Sequence, residues 1–234
     1  MPIRRLEIRN VRLFQHAQIE LDPDLTLITG SNASGKTSVL EAIHILATGR
    51  SFRAGSMGQV QRYGSDELAI SASCQIQNQS LVSDNQVAYF WSPEQRRLSL
   101  NGDTAARISE IAHLIPIVTI SPDTHFDFKA SGRSRRGVID WILFHVEHDF
   151  YDLWKRYQRV LLQRNIALRE KCTNQTIFIW DEELSALGEA VHEQRNKLFD
   201  EINPIFKEKC SKILAGPGNC SLEIKPGWNN SGLL

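Results

Sequence analysis

Residues Gly30-Ser31-Asn32-Ala33-Ser34-Gly35-Lys36-Thr37 fit the pattern G-x-x-x-x-G-K-[ST] at every fixed position. This constrains the fold more than any other stretch, because the pattern works only as a turn between a strand and a helix. Both neighbours suit it: Leu25-Thr26-Leu27-Ile28-Thr29 is apolar and β-branched, which predicts a buried strand, and Thr37 to Ala47 predicts a helix. In such a turn, backbone N–H groups from Ser31, Asn32, Ala33 and Ser34 onward share one concavity with the helix N-terminus and can hold phosphate oxygens. Gly30 and Gly35 supply the backbone freedom. Lys36 is placed to reach the β- and γ-phosphates of a nucleotide such as ATP, Thr37 to ligate Mg²⁺, and Ser38 to add a hydroxyl near the α- or β-phosphate.

A chain of 234 residues, 41% hydrophobic and 23% charged, can bury one sizeable core or two modest ones and is neither disordered nor fibrous. Glu7, Arg9 and Arg12 interrupt any apolar leader, and no apolar run approaches a membrane span. Cys74, Cys172, Cys210 and Cys220 show no C-x-x-C spacing, which suits reduced thiols in a cytoplasm and the role of small buried side chains.

Ile3 to Ile8 alternates apolar and polar residues, and Ala17 to Leu21 does so again after a break at Arg12 to His16, predicting two half-buried strands that lead with Leu25–Thr29 into the loop. Beyond the first helix, Gly49-Arg50-Ser51-Phe52-Arg53 carries two guanidiniums, readable either as cations near the nucleotide or as solvated loop arginines. From Glu67 to Leu100 the period is two: Leu68, Ile70, Ala72, Cys74 and Ile76 share one face, then Val87, Tyr89 and Trp91. That predicts antiparallel sheet, with Gln75 to Asn85 as a hairpin connection and Asn101-Gly102 as a tight turn. Ala105 to Leu114 reads as a short helix, and Ile115 to Ile120 as a further β-rich run stopped by Ser121-Pro122-Asp123.

Past Ser131 the character turns helical, over Gly137–Val146, Phe150–Lys171 and Glu183–Leu214, the last broken near Pro204. Net charge is zero, from 27 basic and 27 acidic residues, but it is unevenly spread. Lys129, Arg133, Arg135, Arg136, Lys155, Arg156, Arg159, Arg164, Arg169 and Lys171 face only Asp140, Glu147, Asp149, Asp152 and Glu170 between 129 and 171, a segment of +5. The candidate phosphate contacts to DNA are Arg135, Arg136, Arg156 and Arg159, against the alternative of a merely solvated helix surface. Trp141 and Trp154 read as core packing. Ile177-Phe178-Ile179-Trp180-Asp181-Glu182 imitates the apolar run ending in acidic residues that holds Mg²⁺ in P-loop ATPases, but it lies between helical runs and reads as a helix start with Asp181 as its cap.

The opening Arg4 to Arg12, the stretch GSNASGKTSVLEAIHILATGRSFR (Gly30 to Arg53), HLIPIVTISPD (His113 to Asp123), RRGVIDW (Arg135 to Trp141) and LLQRNIALR (Leu161 to Arg169) together resemble the RecF family of bacterial recombination mediators. The resemblance implies an α/β P-loop NTPase with an ABC/SMC-like head, a mixed sheet with an antiparallel β subdomain, and a helical second lobe without a long coiled coil. It implies ATP- and Mg²⁺-dependent binding of double- and single-stranded DNA, an ATP-driven homodimer, and action in the cytoplasm beside RecO and RecR in loading RecA at single-strand gaps, in repair, replication and the SOS response. The corresponding division is 1–130 for the first part of the ATPase lobe, 131–215 for the helical lobe, and 216–234 for a return toward the first. Family members continue into a signature loop and an acidic Mg²⁺-site strand that this sequence lacks, so no catalytic residue is expected in it, and it reads as the N-terminal two-thirds of such a protein. Two other classes remain at this stage: a small-molecule kinase, disfavoured by antiparallel strands after the loop, and a nucleotide-binding module without productive hydrolysis.

Overall fold

The computed structural model describes residues 3–78, 81–121, 132–147, 149–214 and 220–225. The chain divides into two compact units, 1–120 and 121–234. Among the described residues no helix is long and apolar enough to cross a membrane.

Unit 1 is a six-stranded sheet of order β2-β1-β3-β4-β5-β6, antiparallel at every described pairing. Its strands are β1 (Ile3–Val11), β2 (Phe14–Glu20), β3 (Leu68–Asn78), β4 (Leu81–Trp91), β5 (Arg96–Leu100) and β6 (Asp103–Thr104). The alternation read from the sequence sets the inward face. Leu6 and Ile8, Leu68 to Cys74 at every second residue, Val87, Tyr89 and Leu98 are all buried. They pack with Val39, Ala42, Ile45 and Leu46 of helix α1 (Lys36–Thr48) and Ile111 of helix α2 (Ile108–Leu114). Helix α1 has Gly35 at its N-cap and no side-chain cap, which costs only about a few tenths of a kcal/mol. Burying Ile45 and Leu46 completely outweighs that, at about 1.5–3 kcal/mol each. At the β5–β6 turn Asn101 and Gly102 have φ of 54° and 91°, the left-handed pair that a tight hairpin needs.

Two expected strands do not form. Leu25 and Leu27 are 81% and 83% exposed, and residues 22–30 pair with no strand among the described residues. The cause is local: the Asp22 carboxylate accepts from the backbone N–H of Asp24 (2.9 Å) and Leu25 (3.1 Å), while Thr26 Oγ1 accepts from Asp22 N–H (2.9 Å), an arrangement that competes with any ladder. Residues 116–120 likewise join no ladder among the described residues, and Pro116 at their start has no N–H to donate. Pro122 and Asp123 lie outside the described residues, as does Lys129. The expected break at Arg12 to His16 shrinks to Arg12-Leu13, since Val11 pairs with Phe14. Likewise Gln75 to Asn85 is mostly ladder, with Gln75 opposite Asp84, and only positions 79 and 80 lie outside description.

Unit 2 holds helices α3 (Gly132–Val146), α4 (Phe150–Arg169) and α5 (Asn174–Ile213). Leu143, Phe150, Val191 and Leu198 form one buried cluster, and Val160, Leu184 and Leu187 another. Because Phe150 meets Leu198 while Val160 meets Leu184, α4 and α5 run antiparallel. Arg195 crosses to Asp140 with two bonds, 2.7 and 2.9 Å, tying α5 to α3. Helix α5 begins nine residues before the expected Glu183. Thr173 is its N-cap, its hydroxyl accepting from Thr176 N–H at 3.3 Å, and the helix continues through Pro204.

Candidate nucleotide-binding loop

The loop between Gly30 and α1 is shaped by its glycines. Gly35 has φ of 99° and closes the helix start, and a Cβ there would stand 2.6 Å from Phe14 Cζ and 3.1 Å from Leu13 Cδ2. Gly30 has φ of 152°, with Ser34 Oγ 2.8 Å from where its Cβ would be. Ala33 also takes a left-handed φ, 62°. Only glycine fits at 35, both for its backbone and for the β1–β2 hairpin pressed against it.

Helix α1 has no acidic residue in its first turn and no side-chain cap. The N–H groups of Ser38 and Val39 bond to Gly35 O (2.9 and 3.1 Å), leaving those of Lys36 and Thr37 without a backbone acceptor among the described residues. Lys36 Nζ donates to Gly30 O (2.9 Å) and Ser31 O (2.6 Å), which holds the ammonium over the loop's concavity. Ser31 to Ser34 and Thr37 are exposed, and Ser38 is buried. Free N–H groups, a helix N-terminus and one cation converge where a polyphosphate fits, and the exposed Thr37 hydroxyl suits a Mg²⁺ ligand. Among the described residues no group of three or more His, Cys, Asp or Glu side chains could hold a metal ion by itself, so phosphate oxygens would have to share in holding one.

One turn further along α1, Glu41 is fully buried. Its carboxylate accepts from Arg12 Nε (2.9 Å), Arg12 Nη2 (2.8 Å) and the Ser51 hydroxyl, and Arg53 Nη1 lies 3.9 Å away. Burial pushes this carboxyl up, but the bonds from Arg12 and Ser51 and the charges of Arg12 and Arg53 outweigh it and hold it below the ordinary value. Arg12 Nη1 also reaches Gln59 O at 2.6 Å, and Ser51 Oγ accepts from the N–H of Arg53 and Ala54. The loop 50–54 is thus tied to α1 through Glu41, with Arg50 exposed and Arg53 half-exposed. His44 Nδ1 stands 2.9 Å from Thr119 Oγ1, and burial lowers its pKa despite nearby Glu41.

Sequence reasoning missed Arg12, Phe14 and Glu41. A signal existed for Glu41, a carboxylate on the same helical face as Ser38, Ala42 and Ile45. Nothing in the sequence joins it to Arg12.

In unit 2, Arg135, Arg136, Arg156 and Arg159 are all exposed. Arg156 donates to Glu183 through Nε (3.1 Å) and Nη2 (2.8 Å), so it is already engaged in an ion pair. Arg159 has no ion pair among the described residues. Asp181 is inside α5 and takes a bond from Arg164 on α4, so it is no helix cap, and Glu182 shares its helix. Trp154 packs on the Leu143–Phe150 cluster, and Trp141 stands edge-on to His145, ring centroids 4.4 Å apart.

Comparison with known proteins bears on the whole chain. The family described as AAA domain matches residues 5–203. The DNA replication and repair protein RecF of Stenotrophomonas maltophilia is 33% identical over 229 residues, 97% of this chain and 63% of that protein. RecF of Acinetobacter baumannii is 34% identical over 98% of this chain and 62% of its own length. The chain therefore spans somewhat over three fifths of the curated relatives it matches. A solved structure of the recombination mediator protein RecF-ATP in the RecFOR pathway is similar in fold, with a TM-score of 0.76 at 21% identity, covering 91% of this chain and 57% of that one. Its sequence is similar to RecF proteins along nearly its whole length, and the chain belongs to the AAA-domain family.

Proposed function

We infer that this chain carries the ATP-binding loop and part of the DNA-facing surface of a DNA-binding protein of recombinational repair and replication, one that acts at single-strand gaps to help load recombinase. The observation that carries the reading is the loop itself: Lys36 Nζ held over Gly30 O and Ser31 O, beside the uncapped start of α1. The similarity to RecF supplies the biological setting. In this reading Gly30 to Ser38 cradle the triphosphate, Thr37 ligates Mg²⁺, and Arg135, Arg136, Arg156 and Arg159 contact DNA phosphates. Residues 1–130 and 131–215 serve as the ATPase and helical lobes, with 216–234 starting the return. The partners are double- and single-stranded DNA, RecO- and RecR-type mediators, and a second copy joined through ATP, in the cytoplasm.

A second reading, a nucleotide-binding module without productive turnover, is favoured by one observation. The one apolar run ending in paired acidic residues is helical, with Asp181 engaged by Arg164, so the described residues offer no Mg²⁺-site strand. The antiparallel sheet on both sides of α1 disfavours a small-molecule kinase. Equilibrium binding of labelled ATP, followed by turnover with and without gapped DNA, separates these readings. ATP binding with DNA-stimulated turnover supports the first, binding without turnover the second, and no binding removes both.

A further inference from the structure

A cavity of about 360 Å³ opens beside the C-terminal end of α1, walled by Gly49, Met57, Tyr89, Trp91 and the β4–β5 turn through Arg96. The thirteen residues of α1 separate it from Lys36, about 20 Å at 1.5 Å rise per residue. The turn is rigid: Ser92 N–H donates to Gln95 O and the Ser92 hydroxyl to Glu94 Oε2, both at 2.8 Å.

Three wall residues frame the cavity. Tyr89 is 1% exposed, its ring packed into the core of unit 1 while the side chain lines the depression. Arg96 is exposed and has no carboxylate partner among the described residues, and it stands directly opposite Trp91 in the β4–β5 ladder. Its charge is felt at Tyr89, whose pKa burial raises and Arg96 pulls back. Trp91 is half-buried, its outer edge near Gly58, where a Cβ would lie 3.7 Å away. An indole and a guanidinium without a carboxylate partner among the described residues therefore border one open depression, with Tyr89 in its wall.

We propose that this cavity binds an aromatic nucleobase together with its phosphate, the base against Trp91 and the phosphate at Arg96. The Tyr89 hydroxyl and the Glu94 carboxylate meet the polar edge of the base. Stacking on an aromatic ring beside a cation is how proteins hold bases that are free of a duplex. A base inside a duplex has both faces covered and is excluded. Free nucleotides and unstacked bases of single-stranded DNA share this chemistry. The thirteen residues of α1 set the site apart from the phosphate loop.

The experiment is an anisotropy titration of fluorescein-labelled oligo(dT) of fifteen nucleotides, against the duplex of the same length and with dTMP and dAMP as competitors. The proteins are the unmodified chain and its Trp91→Ala, Trp91→Phe and Arg96→Gln variants. Single-strand affinity should fall about 5- to 150-fold in Trp91→Ala, the loss of one stacked base, and recover substantially in Trp91→Phe. Arg96→Gln, on an exposed side chain that folding does not need, should flatten the salt dependence by about 0.7. Displacement by the mononucleotides assigns the site to free nucleotide, and resistance to them assigns it to the strand. Wild-type affinity and salt slope in both Trp91→Ala and Arg96→Gln would overturn the proposal.

Discussion

Arg12 grips Glu41 across 29 positions of sequence with two near-parallel bonds, Nε to Oε2 at 2.9 Å and Nη2 to Oε1 at 2.8 Å. The carboxylate is fully buried and the guanidinium is 26% exposed, so the pair fixes the β1–β2 hairpin tip to the helix that starts at the phosphate loop. Removing Arg12 strands a buried charge. Arg12→Ala should cost about 3–5 kcal/mol, read by urea unfolding, whereas deleting both partners should cost less than Arg12→Ala alone. Equal cost in the single and double variants would mean that the two do not act as a pair.

Acid should weaken unit 1 in two stages. His44 has a pKa below 6.5 in the fold, so its contribution declines as pH falls through 6.5. Glu41 is held below 4.5, so its contribution is complete above that value and is lost as pH drops through the lowered one. Unfolding midpoints measured from pH 7 to 3 should show both stages, and Glu41→Gln should erase only the lower one.

Lys36→Ala removes the side-chain cation that the described residues direct over the loop, and ATP affinity should fall at least about tenfold, near 1.4 kcal/mol. Labelled ATP bound as tightly by the folded variant would refute the assignment.

Gly35→Ala should abolish nucleotide binding by two routes, the strain of φ 99° and the collision with Phe14 at 2.6 Å. Adding Phe14→Ala relieves the collision but not the backbone strain, which costs about 1–3 kcal/mol. Binding should therefore return in part. Full recovery would locate the whole effect in the ring contact.

For DNA, Arg159→Gln should flatten the salt dependence of duplex binding by about 0.9, the loss of one phosphate contact. Arg156→Gln should do less, because Glu183 already answers part of that charge. Matching slopes in both variants and the parent would place the DNA surface elsewhere.

The features written locally were legible in the sequence. Period-two alternation marked Leu68 to Cys74 and Val87 to Tyr89 as the inward face of β3 and β4, and the glycines and lysine marked the loop. Leu25 to Thr29 misled because its β-rich composition says nothing of a partner strand, while Asp22 offered its backbone a local alternative. The start of α5 was hidden for a similar reason. Asp181 looked like the cap because the apolar run Ile177 to Trp180 imitates a strand, yet Thr173 caps the helix, and Phe178 and Ile179 remain 56% and 59% exposed on it. Arg12 with Glu41, and Phe14 with Gly35, join positions far apart in the chain, and no periodicity encodes such partners.

Pro204 gives the last turns of α5 a separate life. Lacking an N–H, it leaves the carbonyl of Asp200 without its helical donor, and the buried residues of this helix end at Leu198. Residues 205–213 are thus a helical tail with no fully buried side chain, only Phe206 and Cys210 being half-buried, and it is shorter than the roughly 12–15 residues at which isolated helices become even marginally stable. Amide hydrogens there should exchange with solvent deuterium orders of magnitude faster than those around Val191, so that one continuous helix behaves as two units of very different lifetime.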